Sequence, residues 1–323
     1  MLSHETYNKF YSRTLEEIKP TREVVRKQPK RLPPFETIRK ISKAKFSVYL
    51  IYCESLKKYF AMKVFPHKDE KVSSYFLTET RFAVLNHVNV VKMVAHESHQ
   101  ETLYHEKLIK ISYLVMEYAP YGDFYDVVAV RKLLVDEKLI RTYFKQLLAG
   151  LEYLHLHKVC HLDLKLENLL LGENYALKIA DFDLAYVKGD TRVCTRGTKF
   201  YRAPELMEQR CTNMEAADVY AAGIILFVFK TAGILPHSEN QLYKGMNLFE
   251  MMQDNNKVFW QKHCEIQNKV PTFFSEDFKQ LFNAMTKVNP KERATIPEVK
   301  KFKWYNGPVY TQEELIQIMS KSY

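Results

Sequence analysis

From Thr37 to Phe65 apolar, β-branched and aromatic residues alternate with polar ones, in Ser47-Val48-Tyr49-Leu50-Ile51-Tyr52 and again in Tyr59-Phe60-Ala61-Met62-Lys63-Val64-Phe65. A period of two predicts strands, and the polar run Glu54-Ser55-Leu56-Lys57-Lys58 between them predicts the turn of an antiparallel pair. Lys63 falls inside the third strand with apolar neighbours on both sides. From Ser73 to Leu85 the period becomes helical, with Phe76 and Ala83 on one side and Glu79 placed to pair with Lys63. The polar segment 96–110 reads as a long loop, and Ile111-Ser112-Tyr113-Leu114-Val115-Met116 as a strand that runs into the turn Glu117-Tyr118-Ala119-Pro120-Tyr121-Gly122-Asp123. Beyond it, Tyr143 to His155 carries apolar residues three and four apart, as a core-facing helix does. The longest apolar run, Val219 to Phe229, is eleven residues and ends at Lys230, a buried helix too short to cross a bilayer.

Composition narrows the class. A chain of 323 residues that is 46% hydrophobic buries a large core and is not disordered. Its start, Met1-Leu2-Ser3-His4-Glu5-Thr6, has no apolar signal region, which predicts a soluble intracellular protein, cytoplasmic, with a nuclear location open to its basic tail. Five scattered cysteines, Cys53, Cys160, Cys194, Cys211 and Cys264, form no Cys-x-x-Cys pair and predict reduced thiols. The net charge is +10, and residues 1–34 supply +4 of it from eight Lys or Arg against four Glu. That segment ends Leu32-Pro33-Pro34 and reads as a basic, solvated, flexible tail, so the domain boundary falls there. No zinc-finger spacing or Arg/aromatic run marks a nucleic-acid module, and none is expected to bind. His96, His99 and His105 are spaced by three and six, which fits no closed metal site.

Chemistry concentrates in His161-Leu162-Asp163-Leu164-Lys165-Leu166-Glu167-Asn168. Asp163 and Asn168 stand five apart, so one loop can aim a carboxylate at a hydroxyl and an amide oxygen at a divalent metal. Around it, in order, come Lys63, Glu79, Asp181 in Leu177-Lys178-Ile179-Ala180-Asp181-Phe182-Asp183, then Gly197-Thr198-Lys199-Phe200-Tyr201-Arg202-Ala203-Pro204-Glu205, and Asp218-Val219-Tyr220-Ala221-Ala222-Gly223. This ordered set resembles the eukaryotic protein kinases from about residue 35 to 305. Lys165, two after the aspartate, and Thr198 resemble the serine/threonine type. The turn at 117–123, the loop and Lys303-Trp304-Tyr305 resemble most the calcium/calmodulin-dependent and AMP-activated kinase group.

The resemblance implies an α+β, two-lobed protein kinase fold. A small antiparallel-sheet N-lobe with one helix would span 35–117, a hinge 117–123, and a larger, mainly helical C-lobe 121–305, with 306–323 a short C-terminal tail. It implies ATP bound between the lobes, magnesium or manganese as cofactor, a protein hydroxyl as phosphate acceptor and a monomeric transferase. Asp163 would be the catalytic base, Lys165 would neutralise the γ-phosphate, and Asn168 and Asp181 would hold the metal. Lys63, steadied by Glu79, would grip the α- and β-phosphates. Backbone groups of Glu117 and Ala119, expected to be unpaired, would meet adenine, with Ile41, Val48, Ala61 and Leu170 also lining the nucleotide site. Asp123, Glu167 and Thr198 would face the protein substrate, the two acids meeting a basic residue N-terminal to the phosphosite. Glu205 and Arg293 would form a buried structural ion pair, with Asp218 also structural, and His161 would pack beneath Phe182.

Three departures from the family pattern stand out. The run Ile41-Ser42-Lys43-Ala44-Lys45-Phe46-Ser47-Val48 matches the glycine-rich loop, one residue shorter, yet has no glycine; Ser42, Ala44 and Ser47 take the glycine positions. Glycine there permits positive φ and close approach of amides to phosphate, so weaker ATP binding is the expected cost. Asp183 replaces the glycine of Asp-Phe-Gly and adds a carboxylate near the phosphates. Leu162 replaces the arginine that pairs with an activation-loop phosphate, so a phosphate on Thr191 or Thr195 would lack that partner, and a loop ordered without phosphorylation is expected. The alternative function is a pseudokinase scaffold that keeps the fold and holds ATP with weak or no transfer.

Overall fold

The computed structural model describes residues 35–323 apart from 43–44, 69–70, 105–106, 135, 191–196, 209–212, 238–241, 244–245 and 254–256. The tail 1–34 and Ala44, His105, Thr191, Cys194, Thr195 and Cys211 therefore lie outside the described residues. The chain divides into two units, one of residues up to Asn86 with Val91–Tyr118, the other of His87–Val90 with Ala119–Tyr323.

The first unit is a five-stranded sheet, β1 (Glu36–Ser42), β2 (Ser47–Cys53), β3 (Lys58–Pro66), β4 (Met93–Tyr104) and β5 (Lys107–Glu117), in the order β1-β2-β3-β5-β4. Every neighbouring pair is antiparallel. Side chains of a strand alternate between faces, and β3 shows what that does. Phe60, Met62 and Val64 enter one apolar cluster with Tyr49, Ile51, Tyr113 and Val115. Ala61, Lys63 and Phe65 take the opposite face, where Phe65 packs with Leu114 and with Phe76 of the helix α1 (Ser74–Thr80). Parity thus delivers Lys63 to the helix-bearing face.

Two sequence expectations are corrected in this unit. The helix read over Ser73–Leu85 ends at Thr80. Thr78 and Thr80 turn their hydroxyls back onto the carbonyls of Ser74 (2.9 Å) and Leu77 (3.3 Å), a competing bond that weakens helices. The segment read as a loop over 96–110 belongs to the antiparallel pair β4 and β5, and residues 105–106 are not among the described residues. Its two described histidines are ring partners: His96 meets Phe76 at 6.1 Å, and His99 meets His67 edge-on at 5.3 Å.

The second unit is mainly helical, built on α2 (Glu137–Leu156), α3 (Met214–Lys230), α4 (Lys257–Ile266), α5 (Glu276–Met285) and α6 (Gln312–Met319). Asp136 caps α2 by accepting the Leu139 N–H at 2.7 Å, and Asn213 caps α3 through the Ala216 N–H at 3.1 Å. α3 is apolar nearly all round and buried from Ala216 to Phe229, as a central helix must be. Its Phe227 stacks on Phe274 and meets Phe259, Trp260 and Phe282. Among the described residues six short strands complete the unit as three antiparallel pairs, β6 (Val159–Cys160) with β9 (Tyr186–Val187), β7 (Leu169–Leu171) with β8 (Leu177–Ile179) and β10 (Leu242–Tyr243) with β11 (Met246–Asn247).

Residues beyond 305 belong to this packing. Arg141 of α2 donates to the carbonyls of Trp304 (2.6 Å) and Pro308 (2.8 Å), and Leu315 and Met319 of α6 are buried. Residues 87–90 also join the second unit: the Ile179 N–H donates to Asn89 O at 2.9 Å, and the Asn89 amide donates to Leu177 O at 2.8 Å. Among the described residues no helix is long and apolar enough to cross a membrane.

Candidate active site

In the first unit the amine of Lys63 is bonded to the Glu79 carboxylate, and both side chains are buried. The strand places the lysine and α1, the one α-helix among the described residues of the unit, places the acid, which is the pairing that the sequence spacing predicts. In register, Lys63 lies opposite Val48 on β2 and Leu114 on β5, while Ala61 lies opposite Leu50 and Met116. Ser42 pairs with Val48 across β1 and β2, and Ile41 is in the same strand. At the end of β5 the expectation of unpaired groups is corrected for one of them: the Glu117 N–H donates to Lys92 O at 3.0 Å, and the Glu117 side chain accepts the Lys92 N–H at 2.7 Å. The ladder's end is tied back by Lys92, so that amide is committed.

In the second unit β6 delivers the chain to the loop 161–168, and Asp218 of α3 braces it from beneath. Asp218 Oδ2 accepts the His161 N–H and Oδ1 the Leu162 N–H, each at 2.8 Å, and the carboxylate also meets His155 Nε2 at 3.0 Å. A carboxylate on α3 thereby fixes two successive loop amides. Leu162 takes positive φ, 61°, in that hold. Gly197 at φ +126° runs so close to the loop that a Cβ there would stand 2.8 Å from Leu162 O, a position only glycine fills.

Four donors converge on Asp163. Thr198 gives Oδ1 its N–H at 2.8 Å and its hydroxyl at 3.1 Å. Lys165 Nζ stands 2.8 Å from Oδ2, and Asn168 Nδ2 donates to Asp163 O at 2.8 Å and to Oδ2 at 3.2 Å. The Asn168 nitrogen is thus the atom tied into the loop, and its oxygen is the atom that side chain can offer a cation. Asp163 and Asn168 are both buried, which fixes their aim. His161 donates from Nε2 to Ala180 O at 2.8 Å while its Nδ1 accepts the Asp163 N–H at 3.3 Å, and its ring lies 5.2 Å from Phe182. Next to it Asp181 holds φ 66°, and Ala180 donates to Asn168 O at 2.9 Å, so the two oxygen ligands expected for a metal sit on segments bonded to one another.

The remaining expected residues divide. Glu167 is exposed, whereas Asp123 accepts the Asp126 N–H at 3.0 Å, and burial pushes its carboxyl above the usual range. Asp123 therefore works in part as a turn cap. Leu170 pairs with Lys178 on β8 and bridges to Asp123. Glu205 and Arg293 form a buried two-pronged ion pair at 2.6 and 3.0 Å, and Arg293 also donates to the carbonyls of Ala216, Lys287 and Val288. A small cleft beside the loop is lined by Leu162, Thr198, Tyr201, Arg202 and Leu206, among others, so the position expected of an arginine presents an apolar wall there.

Two contributors escape a motif-based reading. His155 lies outside the loop and joins it only through Asp218. Phe46 carries no chemistry of its own, and its one sequence signal is an aromatic ring among the would-be glycine positions. The ligand atoms of His155, Cys160 and Asp218 lie within 4.8 Å of one another, but Asp218 is already engaged by two amides, and the cluster reads as bracing.

The family model described as protein kinase domain matches residues 35–305, and the chain belongs to that family. Among its relatives is CBL-interacting protein kinase 11 of Oryza sativa subsp. japonica, 36% identical over 202 residues, which covers 61% of this chain and 37% of that protein. CBL-interacting serine/threonine-protein kinase 13 of Arabidopsis thaliana is 35% identical over 198 residues, covering 60% of this chain and 36% of that one. CBL-interacting protein kinase 15 of Oryza sativa subsp. japonica is 33% identical over 231 residues, covering 68% and 49%. The chain thus matches less than half the length of these relatives.

Proposed function

We propose that the chain is an ATP-dependent serine/threonine protein kinase that transfers the γ-phosphoryl group of ATP to a protein hydroxyl. The observation that carries this reading is the convergence of Lys165, Asn168 and Thr198 on the Asp163 carboxylate. Phosphoryl transfer needs positioning and charge neutralisation more than covalent chemistry from the protein. Asp163 orients the acceptor hydroxyl and takes its proton. Lys165, now on Asp163 Oδ2, turns to the γ-phosphate and leaves that oxygen to the acceptor. Thr198 keeps Oδ1 in place throughout. Lys63, held by Glu79, neutralises the α- and β-phosphates.

Asn168 and Asp181 are the residues that would hold magnesium or manganese, and the donor set fits: both offer hard side-chain oxygens, and the Asn168 nitrogen is tied away in the loop. The bound ion supplies charge neutralisation at the phosphates. On the substrate side, exposed Glu167 is the better partner for a basic residue N-terminal to the phosphosite, because Asp123 is partly spent on the Asp126 amide.

Transfer of labelled γ-phosphate to a library of basic peptides, with magnesium and then manganese, tests the reading. Label on serine or threonine is the expected result. Nucleotide bound without transfer in either metal contradicts it and puts a binding scaffold in its place.

A further inference from the structure

Phe46, in the run without glycine, points its ring into the first unit. The centroid lies 4.6 Å from that of Phe65 on β3 and 5.5 Å from that of Tyr75 on α1. The neighbouring Lys45 places its amine 3.1 Å over the Tyr75 ring. Two consecutive residues immediately before β2 are therefore held by side chains of β3 and α1. Beneath them, the Lys63 amine stands 5.6 Å from the Phe46 centroid and 5.4 Å from that of Phe65. The amine is only 9% exposed at the side chain and bonded to Glu79.

A cation beside aromatic faces is attracted by the ring quadrupole, more strongly once water is excluded. The same ammonium is the group expected to meet phosphate oxygens. A phosphate that approaches the ammonium from the side of Phe46 meets the ring first, so on that side the two compete. Where glycine would let the backbone approach phosphate, Ser42 and Ser47 leave the approach to side chains, and among the described residues of the run Phe46 is the one whose ring stands by the Lys63 amine.

We propose that Phe46 is a further positioning residue of the nucleotide site: its ring screens Lys63, and phosphate arriving on that side must displace it to reach the amine. The proposal rests on the kinase reading for its ligand, but not for its geometry. Tyr75 and Phe65 are the seat of the ring, and α1, which carries both Tyr75 and Glu79, couples the screen to the Lys63 pair.

Two measurements on the full chain test it. The first is the rate at which an amine-reactive acylating reagent modifies Lys63 without nucleotide, read by peptide mass spectrometry. Phe46→Ala should raise that rate about fivefold and Phe46→Leu by less, because leucine keeps apolar bulk without a π face, whereas Phe46→Tyr should keep the slow rate. The second is steady-state kinetics: Phe46→Ala should lower KM for ATP about threefold or more, and KM for the peptide should not follow. Lys63 labelling that ignores removal of the ring, or a KM for ATP that rises, overturns the proposal. Faster labelling in a chain that neither binds nor uses ATP supports the screen and overturns the kinase reading instead. Phe46→Leu in a half-buried site keeps the test alive if the alanine variant melts early.

Discussion

Thr198 holds Asp163 twice on the same oxygen, through its N–H at 2.8 Å and its hydroxyl at 3.1 Å. Thr198→Val removes the hydroxyl bond and keeps the amide bond. A hydrogen bond to a charged group contributes roughly 1.5–3 kcal/mol, so kcat should fall about tenfold or more while KM for ATP stays close to wild type. Thr198→Ser, which keeps the hydroxyl, should recover most of the loss. Equal losses in both variants, measured by initial rates, would mean that the hydroxyl does not position the carboxylate.

Asp218 acts on the same loop from below. Asp218→Asn replaces one acceptor by an NH₂ group facing a backbone N–H, so either His161 or Leu162 loses its anchor. The expected result is a fall in kcat of about a hundredfold, on the scale of a misplaced catalytic group, with a lower melting temperature. Retained kcat in a folded variant would show that the loop holds itself.

The Glu205–Arg293 pair is structural. Both groups are buried, and the guanidinium also serves three carbonyls. Glu205→Gln leaves the arginine charge without its counter-ion and should cost about 3–5 kcal/mol, read as a shift in a urea unfolding midpoint. A loss below about 1 kcal/mol would indicate that water reaches the site and screens it.

His237 and His263 give the fold an acid limit. Burial, foremost, pushes both imidazoles down to about 4 from 6.5; the charge of His263 adds to the effect at His237, and the hydrogen bond to the Pro236 carbonyl opposes it at His263. Their rings pack on Phe200 and Phe249, and on Phe227 and Phe259. Well above pH 6.5 both are neutral folded or unfolded, and neither affects stability. As pH falls from 6.5 towards 4 the unfolded chain takes up protons that the fold refuses, so stability drops, by roughly 2 kcal/mol per imidazole at pH 5. Thermal melts of wild type and His237→Phe at pH 7 and pH 5 check this. The variant should lose less on acidification, and equal losses would contradict the assignment.

The legible parts of this chain are those where one short segment carries the geometry. Asp163, Lys165 and Asn168 lie within six residues, and the loop between them sets their distances. Lys63 was readable because strand parity fixes its face, and Glu79 because it lies on the helix packed there. Strand β4 was not readable. It lies at the sheet's edge, its exposure alternates along polar residues, and a register shift between Glu97 and Gln100, with His99 at φ 59°, breaks the period. After Thr80 the chain leaves the α-helix for i→i+3 turns, with Phe82 N–H donating to Glu79 O and Ala83 N–H to Thr80 O, and the apolar period runs on through both, so it does not report where the helix ends. Packing of α6 into the second unit was equally hidden: eight residues, Gln312 to Met319, look like an acidic amphipathic stretch until Leu315 and Met319 find their partners.

The central claim is that Asp163 performs proton and hydroxyl positioning in a transfer reaction. The most direct measurement is kcat for γ-phosphate transfer by wild type and Asp163→Asn, with ATP binding followed in parallel by thermal shift. Asparagine preserves size but takes no proton, so kcat should fall at least a hundredfold on the scale of general-base catalysis while the ATP-induced shift persists. Equal transfer rates in the two proteins would contradict the account.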